Sequence, residues 1–323
     1  MRTELADKVV VITGAASGIG RELAIHLADQ GCVLGLLDID RRGLAEVHSL
    51  LARKSKSITV HEVNVSNREL VYKCASDIST LHGGVDILIN CAAVSVAETL
   101  EDITFEDFEW VMNVNFWGVV YTTKAFLPLL KQRPEAYIVN LSSVDGIVPT
   151  PNGGPYSAAK AALRSFTETL LQELHGSNVS VTCVIPGGVK TNLHRNARFF
   201  KTACPGMSHQ ECINFFEGAA LTSAQAAAQA IIEAMCERRA RVLIGRDAHL
   251  IDLAARLMPR SATALAGYLS RNLKSRKFEW VRLLKPKRDG HAANRHSDER
   301  RGSVMPAKIG GQSRSSGFQR TPE

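Results

Sequence analysis

The chain has 323 residues, 45% of them hydrophobic, which is enough to bury one large α/β core. Its seven cysteines form neither a disulfide framework nor a C-x-x-C zinc spacing, so reduced thiols and no metal are expected. The formal charge of +7 is concentrated in residues 281–323, with ten Lys/Arg against four acids, and the nearly neutral remainder argues against nucleic acid as a partner.

From the N-terminus, "KVVVIT" (8–13) is a β-branched run that predicts a buried strand. The turn "TGAASGIG" follows, with Gly14, Ser17, Gly18, Ile19 and Gly20 leading into the helix "RELAIHLADQG", which stops at Gly31. Glycines between a strand and a helix let the backbone come close to a ligand, and the helix N-terminus offers unpaired N–H groups and a partial positive charge to a diphosphate. A second strand, "CVLGLLDI", ends at Asp38, eighteen residues past Gly20. An acid there can accept hydrogen bonds from ribose hydroxyls and would repel a 2′-phosphate, so NAD is expected over NADP, with Arg41 and Arg42 in partial compensation.

The third strand, "SITVHEVNV", carries Asn64 and Val65 at its end, and the fourth, "VDILIN", ends at Asn90. A long helical stretch over 105–130 holds Asn115, and "AYIVNLSS" is a fifth strand ending at Ser143. In "GPYSAAKAAL" Tyr156 and Lys160 stand four residues apart, one above the other on a helix that continues to about 175. A cation held close to a phenol favours its ionised form, so the pair can shuttle a proton. "VSVTCVIPG" and "RVLIG" complete seven strands, with Pro186, Gly187, Val189 and Thr191 just after the sixth. Apolar strands alternating with helices predict a Rossmann-like, doubly wound α/β fold with a parallel sheet of about seven strands, over roughly 5–258.

Three segments stand apart. Residues 192–222 read as a long irregular lid carrying Phe199, Phe200, Ile213, Phe215 and Phe216. Those residues either recognise an apolar small-molecule substrate or serve as core for the lid itself. Residues 259–285 read as a C-terminal helical extension beyond Pro259, and 286–323 as a basic, disordered tail. The apolar and basic spacing from 247 to 285 fits either packing or peripheral membrane contact, with Trp280 among the headgroups. The N-terminus lacks a signal-peptide layout and no run reaches the roughly 18 apolar residues of a span, so a cytoplasmic protein is expected, with membrane association as the alternative.

Together the motifs resemble the short-chain dehydrogenase/reductase family of the compact G-x-x-x-G-x-G type, in order over residues 8 to about 191. "TGAASGIG" matches its cofactor turn, "NCAA" at 90–93 its N-N-A-G, "NVNFWG" its catalytic asparagine (Asn115), "VNLSS" its serine (Ser143), "YSAAK" its Tyr/Lys pair, and "PGGVKT" its P-G-x-V-x-T. The resemblance implies hydride transfer between a nicotinamide cofactor and a hydroxyl or carbonyl carbon. Tyr156 would be the acid or base, Ser143 would hold the substrate oxygen, and Lys160 would bind the nicotinamide ribose. Asn115 would anchor a relay water, Thr191 would meet the carboxamide, and Asn90 would steady the strands and the cofactor. It also implies a homodimer or homotetramer joined through the helices near 105–130 and 156–175. Asn64 departs from the family's usual aspartate near the adenine, and "NCAA" lacks the second asparagine and the glycine. A non-catalytic dinucleotide-binding regulator is the competing reading, disfavoured by the intact Ser143, Tyr156 and Lys160; a nucleotide-sugar epimerase is disfavoured by the glycine spacing.

Overall fold

The computed structural model describes residues 5–54, 57–199 and 208–272. In chain order these form β1 (Val9–Thr13), α1 (Gly18–Asp29), β2 (Val33–Asp38), α2 (Arg41–Leu51), β3 (Ile58–Glu62), α3 (Arg68–His82), β4 (Ile87–Asn90), β5 (Val96–Ala97) and α4 (Phe105–Met112). A π-helical turn (Asn113–Trp117) joins α4 to α5 (Gly118–Leu130), followed by β6 (Ala136–Leu141), a 3-10 turn (Val144–Gly146), α6 (Gly154–Glu173) and β7 (Val179–Pro186). The remainder is β8 (Val189–Lys190), β9 (Arg198–Phe199), α7 (His209–Ala219), β10 (Thr222–Ser223), α8 (Ala224–Cys236), β11 (Arg241–Ile244), α9 (Arg246–Leu257) and α10 (Ala262–Asn272).

Seven strands make one sheet in the order β11-β7-β6-β4-β1-β2-β3, every pair parallel. All seven predicted strands are present. Successive strand side chains point to opposite faces, and both faces are buried. In β1, Val10 and Ile12 pack with Leu23, Leu27 and Ile231 on one side, whereas Val9 and Val11 pack with Val71, Ile78, Phe126 and Leu130 on the other. At the N-terminal end of the sheet the buried Asp86 accepts from the Val9 amide (2.9 Å) and from Arg133 Nε (2.8 Å), which fixes β1 against β4.

The described parts of 192–222, residues 192–199 and 208–222, hold more regular structure than the sequence pattern implies. Arg198 and Phe199 pair with Val96 and Ala97, α7 buries Ile213, and Thr222 and Ser223 pair with Val189 and Lys190. Arg198 also pairs with the Asp107 carboxylate and stacks over Trp110 at 3.8 Å. Phe200 and the side chains of Phe199, Phe215 and Phe216 lie outside the described residues. So do residues 273–323, which include Trp280 and the basic tail. The helices α9 and α10 break around Pro259, as its ring predicts. No helix among the described residues is long and apolar enough to cross a membrane, and no cluster of metal-ligating side chains occurs there.

Candidate active site

Three loops converge at the C-terminal edge of the sheet beside β1 and β4, the crevice where the strand order switches direction and α/β proteins bind ligands. Gly14 has φ +70°, and a Cβ there would meet the Ala92 backbone at 2.8 Å, so the glycine turn lies directly against 90–93. Gly18 has φ +54°, and a Cβ there would touch Thr191 at 3.2 Å, which brings the loop after β7 to the same place. Thr13 Oγ1 accepts from the amides of Cys91 and Ala92 at 3.0 and 3.1 Å and ties the second loop to the first strand.

This edge fits a dinucleotide diphosphate. Ser17 sits at the N-cap of α1 with no side-chain capping bond, and the first turn carries no acid, so the positive end of the helix is left for an external anion. The Asp38 carboxylate at the end of β2 accepts from Ala16 N (2.9 Å) and Asp40 N (3.0 Å), which locks it across the glycine turn. Arg41 and Arg42 are drawn instead to Glu62 (4.0 Å) and Glu46 (3.3 Å). Asn64 is exposed just past β3, and its Oδ1 accepts from Ser66 N and Oγ at 3.0 and 2.8 Å. The neighbouring Val65 is buried against Gly118, where a Cβ would come within 2.8 Å.

Asn90 is buried at the end of β4, where its Nδ2 donates to Asn140 Oδ1 (2.8 Å) and its Oδ1 accepts from Thr122 Oγ1 (2.7 Å). Asn140 continues to Thr167 (3.0 Å), so a buried polar ladder joins two strands to α5 and α6. Asn115 is fully buried in the π-helical turn, a distortion that often marks functional positions. Its amide donates to Val94 O and accepts from Val94 N, both at 2.8 Å, and so clamps the segment that follows "NCAA".

Ser143, Tyr156 and Lys160 are brought together where β6 ends and α6 begins. The Ser143 hydroxyl caps the 3-10 turn by accepting from Asp145 N (3.1 Å) and hydrogen-bonds the Tyr156 oxygen. Lys160 is buried, and its Nζ donates to Leu141 O (2.8 Å) and stands 5.6 Å from the Tyr156 ring centre. Burial pushes Tyr156 well above the ordinary phenol value, the Asp145 carboxylate adds to the rise, and the Ser143 hydroxyl pulls the other way. Burial lowers Lys160 itself to about 8, although its ammonium still donates to the Leu141 carbonyl.

Sequence reasoning missed two carboxylates. Asp145 stands two residues after Ser143, a spacing plain in the sequence but not weighed. Asp247, from the first turn of α9, accepts from Gly188 N (2.6 Å) and packs so tightly that a Cβ on Gly187 would meet it at 2.2 Å. A side chain at Gly187 would displace the Asp247 carboxylate, which holds the loop that carries Val189 and Thr191. No local signal could have found this, because 59 residues separate the partners. Cys91 is not an activated nucleophile; burial pushes its thiol up to about 12.

The family model described as short chain dehydrogenase matches residues 8–201. A putative oxidoreductase SadH of Mycobacterium tuberculosis is 39% identical over 257 residues, covering 79% of this chain and 92% of the relative. Dehydrogenase/reductase SDR family member 7B of Xenopus tropicalis is 36% identical over 246 residues, covering 74% and 78%. A Burkholderia phymatum short chain dehydrogenase/reductase solved with NAD superposes with a TM-score of 0.71 at 30% identity, covering 80% of this chain and 95% of that one. An alcohol dehydrogenase from Thermococcus sibiricus, complexed with 5-hydroxy-NADP, gives 0.61 at 25% identity, with 73% and 95% covered.

Proposed function

The chain belongs to the short-chain dehydrogenase/reductase family of oxidoreductases, and from that premise we propose that it interconverts a secondary alcohol and a carbonyl compound with NAD as hydride carrier. The observation that carries this reading is the meeting of Ser143, Tyr156 and Lys160 at the edge of the sheet that also bears the uncapped N-terminus of α1. When bound, the nicotinamide accepts or donates the hydride. Tyr156 exchanges a proton with the substrate oxygen, and Ser143 supports charge developing on that oxygen. Lys160 is placed to turn from the Leu141 carbonyl to a ribose hydroxyl, and Asn115 and Asn90 act as positioning residues. Gly14, Ser17, Gly18, Ile19 and Gly20 would hold the diphosphate, Asp38 the adenosine ribose, and Asn64 and Val65 the adenine. Pro186, Gly187, Val189 and Thr191 would hold the nicotinamide end.

NAD is favoured over NADP because Asp38 presents a carboxylate at the ribose position and the two nearby arginines are turned to other acids. The Burkholderia phymatum relative was solved with NAD and the Thermococcus sibiricus one with 5-hydroxy-NADP, so the choice rests on Asp38. A lipophilic substrate of steroid, retinoid or fatty type is supported by the apolar composition of 192–222. A homodimer or homotetramer is supported by the outer face of α4 and α5, where Phe105 is 84% exposed and Trp117 stacks on Tyr121 at 5.9 Å. Leu250, Leu253 and Leu257 share one exposed face of α9 at i, i+3, i+7 spacing, and this supports peripheral membrane contact by a protein otherwise in the cytoplasm.

The test is nicotinamide absorbance with a panel of lipophilic secondary alcohols and ketones, run with NAD and NADP on the wild type and Tyr156→Phe. Turnover that prefers NAD and disappears in Tyr156→Phe is expected. Turnover that survives in Tyr156→Phe overturns the proton-transfer role, and NADPH binding as tightly as NADH overturns the reading of Asp38.

A further inference from the structure

Asp145 lies in the 3-10 turn, two residues from Ser143. Its backbone N–H donates to Ser143 Oγ at 3.1 Å, and its Oδ2 stands 3.5 Å from the same hydroxyl, at the outer limit of a hydrogen bond. The other carboxylate oxygen, Oδ1, accepts from Thr150 Oγ1 at 3.0 Å. Thr150 is exposed and lines a cleft of about 550 Å³ with Pro149, Pro151, Arg260 and Thr263, between the loop after the 3-10 turn and α10. Oxygen atoms therefore run from the Tyr156 phenol through Ser143 and Asp145 to the surface at Thr150. Ser143 carries a single proton, which it can give either to Tyr156 or to Asp145.

We propose that Asp145 is a proton carrier for Tyr156, taking through the Ser143 hydroxyl the proton gained from the substrate alcohol and releasing it to water in the cleft beside Thr150. The idea rests on the oxidoreductase reading above and adds a residue and an exit to it. In the direction of alcohol oxidation, the Tyr156 phenolate forms an O–H bond with the substrate proton. That proton then passes to Ser143 Oγ while the original Ser143 proton passes to Asp145 Oδ2, leaving Tyr156 anionic, Ser143 neutral and Asp145 a carboxylic acid. Asp145 next gives its proton to water and returns to the carboxylate. No electrons move along this path, and water is the only co-reactant. The reverse sequence recharges Tyr156 in carbonyl reduction.

The surroundings suit a group that both gains and loses a proton. Burial raises the Asp145 pKa above the ordinary carboxylate value, and the hydroxyls of Thr150 and Ser143 restrain the rise. Tyr156 on α6 is the titratable group that feels its charge, and Arg260 stands on the wall of the cleft that Thr150 lines.

The test compares wild type, Asp145→Asn, Asp145→Ala and Tyr156→Phe in H2O and D2O, using the secondary alcohol turned over fastest in the panel. Asp145→Asn keeps the shape and the acceptor for Thr150 but cannot carry the proton, so kcat for oxidation should fall by about tenfold to a hundredfold with NAD affinity unchanged. Its solvent isotope effect should rise, and formate or acetate should restore part of the rate in Asp145→Ala. An Asp145→Asn enzyme with the wild-type rate and isotope effect, while Tyr156→Phe is dead, overturns the proposal alone. A slowed Asp145→Asn whose isotope effect does not rise, together with no acid rescue in Asp145→Ala, also overturns it. Survival of turnover in Tyr156→Phe overturns the underlying reading as well.

Discussion

Asn115 separates a mechanical role from a solvent-holding one. Its amide makes two bonds of 2.8 Å to the backbone of Val94 and is fully buried. Truncation in Asn115→Ala removes both, each worth about 1 kcal/mol net, and leaves the Val94 N–H and C=O short of partners. Val94 itself is only partly buried, so the orphan penalty is put at the low end, for a total of about 3 kcal/mol. On a folded unit of this size each kcal/mol lowers Tm by ~2–4 °C, so a fall of ~6–12 °C is expected. Asn115→Asp should lose at least as much, since it keeps the acceptor for Val94 N but sets a carboxylate against Val94 O. The assay is thermal unfolding by circular dichroism alongside kcat and KM for the best substrate. Activity should fall with stability, because Val94 continues the segment that abuts Gly14. A wild-type Tm with a large loss of kcat would refute the clamp and leave a water-anchoring role instead.

Other outcomes follow from the same coordinates. Gly20→Ala places a Cβ 2.1 Å from the Gly14 carbonyl oxygen, so the turn must open and NAD affinity measured by calorimetry should drop at least about tenfold; an unchanged Kd would refute the role of the turn. Asp86→Ala leaves the Val9 amide and Arg133 without their buried acceptor and should cost about 3 kcal/mol in urea unfolding, with no change in NAD affinity at the opposite end of the sheet. Stability should decline in alkali. Burial pushes the Cys32, Cys74, Cys91 and Cys183 thiols from 9.0 up to about 12, so their contribution is complete below pH 9 and is lost as pH rises toward 12. Lys160, lowered from 10.5 to about 8, acts with the opposite sign between those values, but it is one group against four. Melting curves from pH 8 to pH 11 should therefore show a falling midpoint, and a flat or rising one would contradict the burial of these thiols.

The sequence by itself determined the seven strands, the helices between them and the motifs that the fold gathers at the edge of the sheet. Those features are written in short-range patterns: β-branched runs such as "KVVVIT", the glycine spacing of "TGAASGIG", and the four-residue interval between Tyr156 and Lys160. Backbone conformation and facial periodicity are local properties, so local patterns suffice to read them. Tertiary structure alone decided where each group's hydrogen bonds go. Asn115 meets Val94 across 21 residues, Asn90 meets Asn140 across 50, and Asp247 meets Gly188 across 59. The same holds for Lys160, which chain spacing sets near the Tyr156 hydroxyl and packing gives to the Leu141 carbonyl. Desolvation depends on every atom packed around a group, wherever those atoms lie in the chain, and that is why the raised pKa of Tyr156 and the lowered pKa of Lys160 could not be read from Y-x-x-x-K.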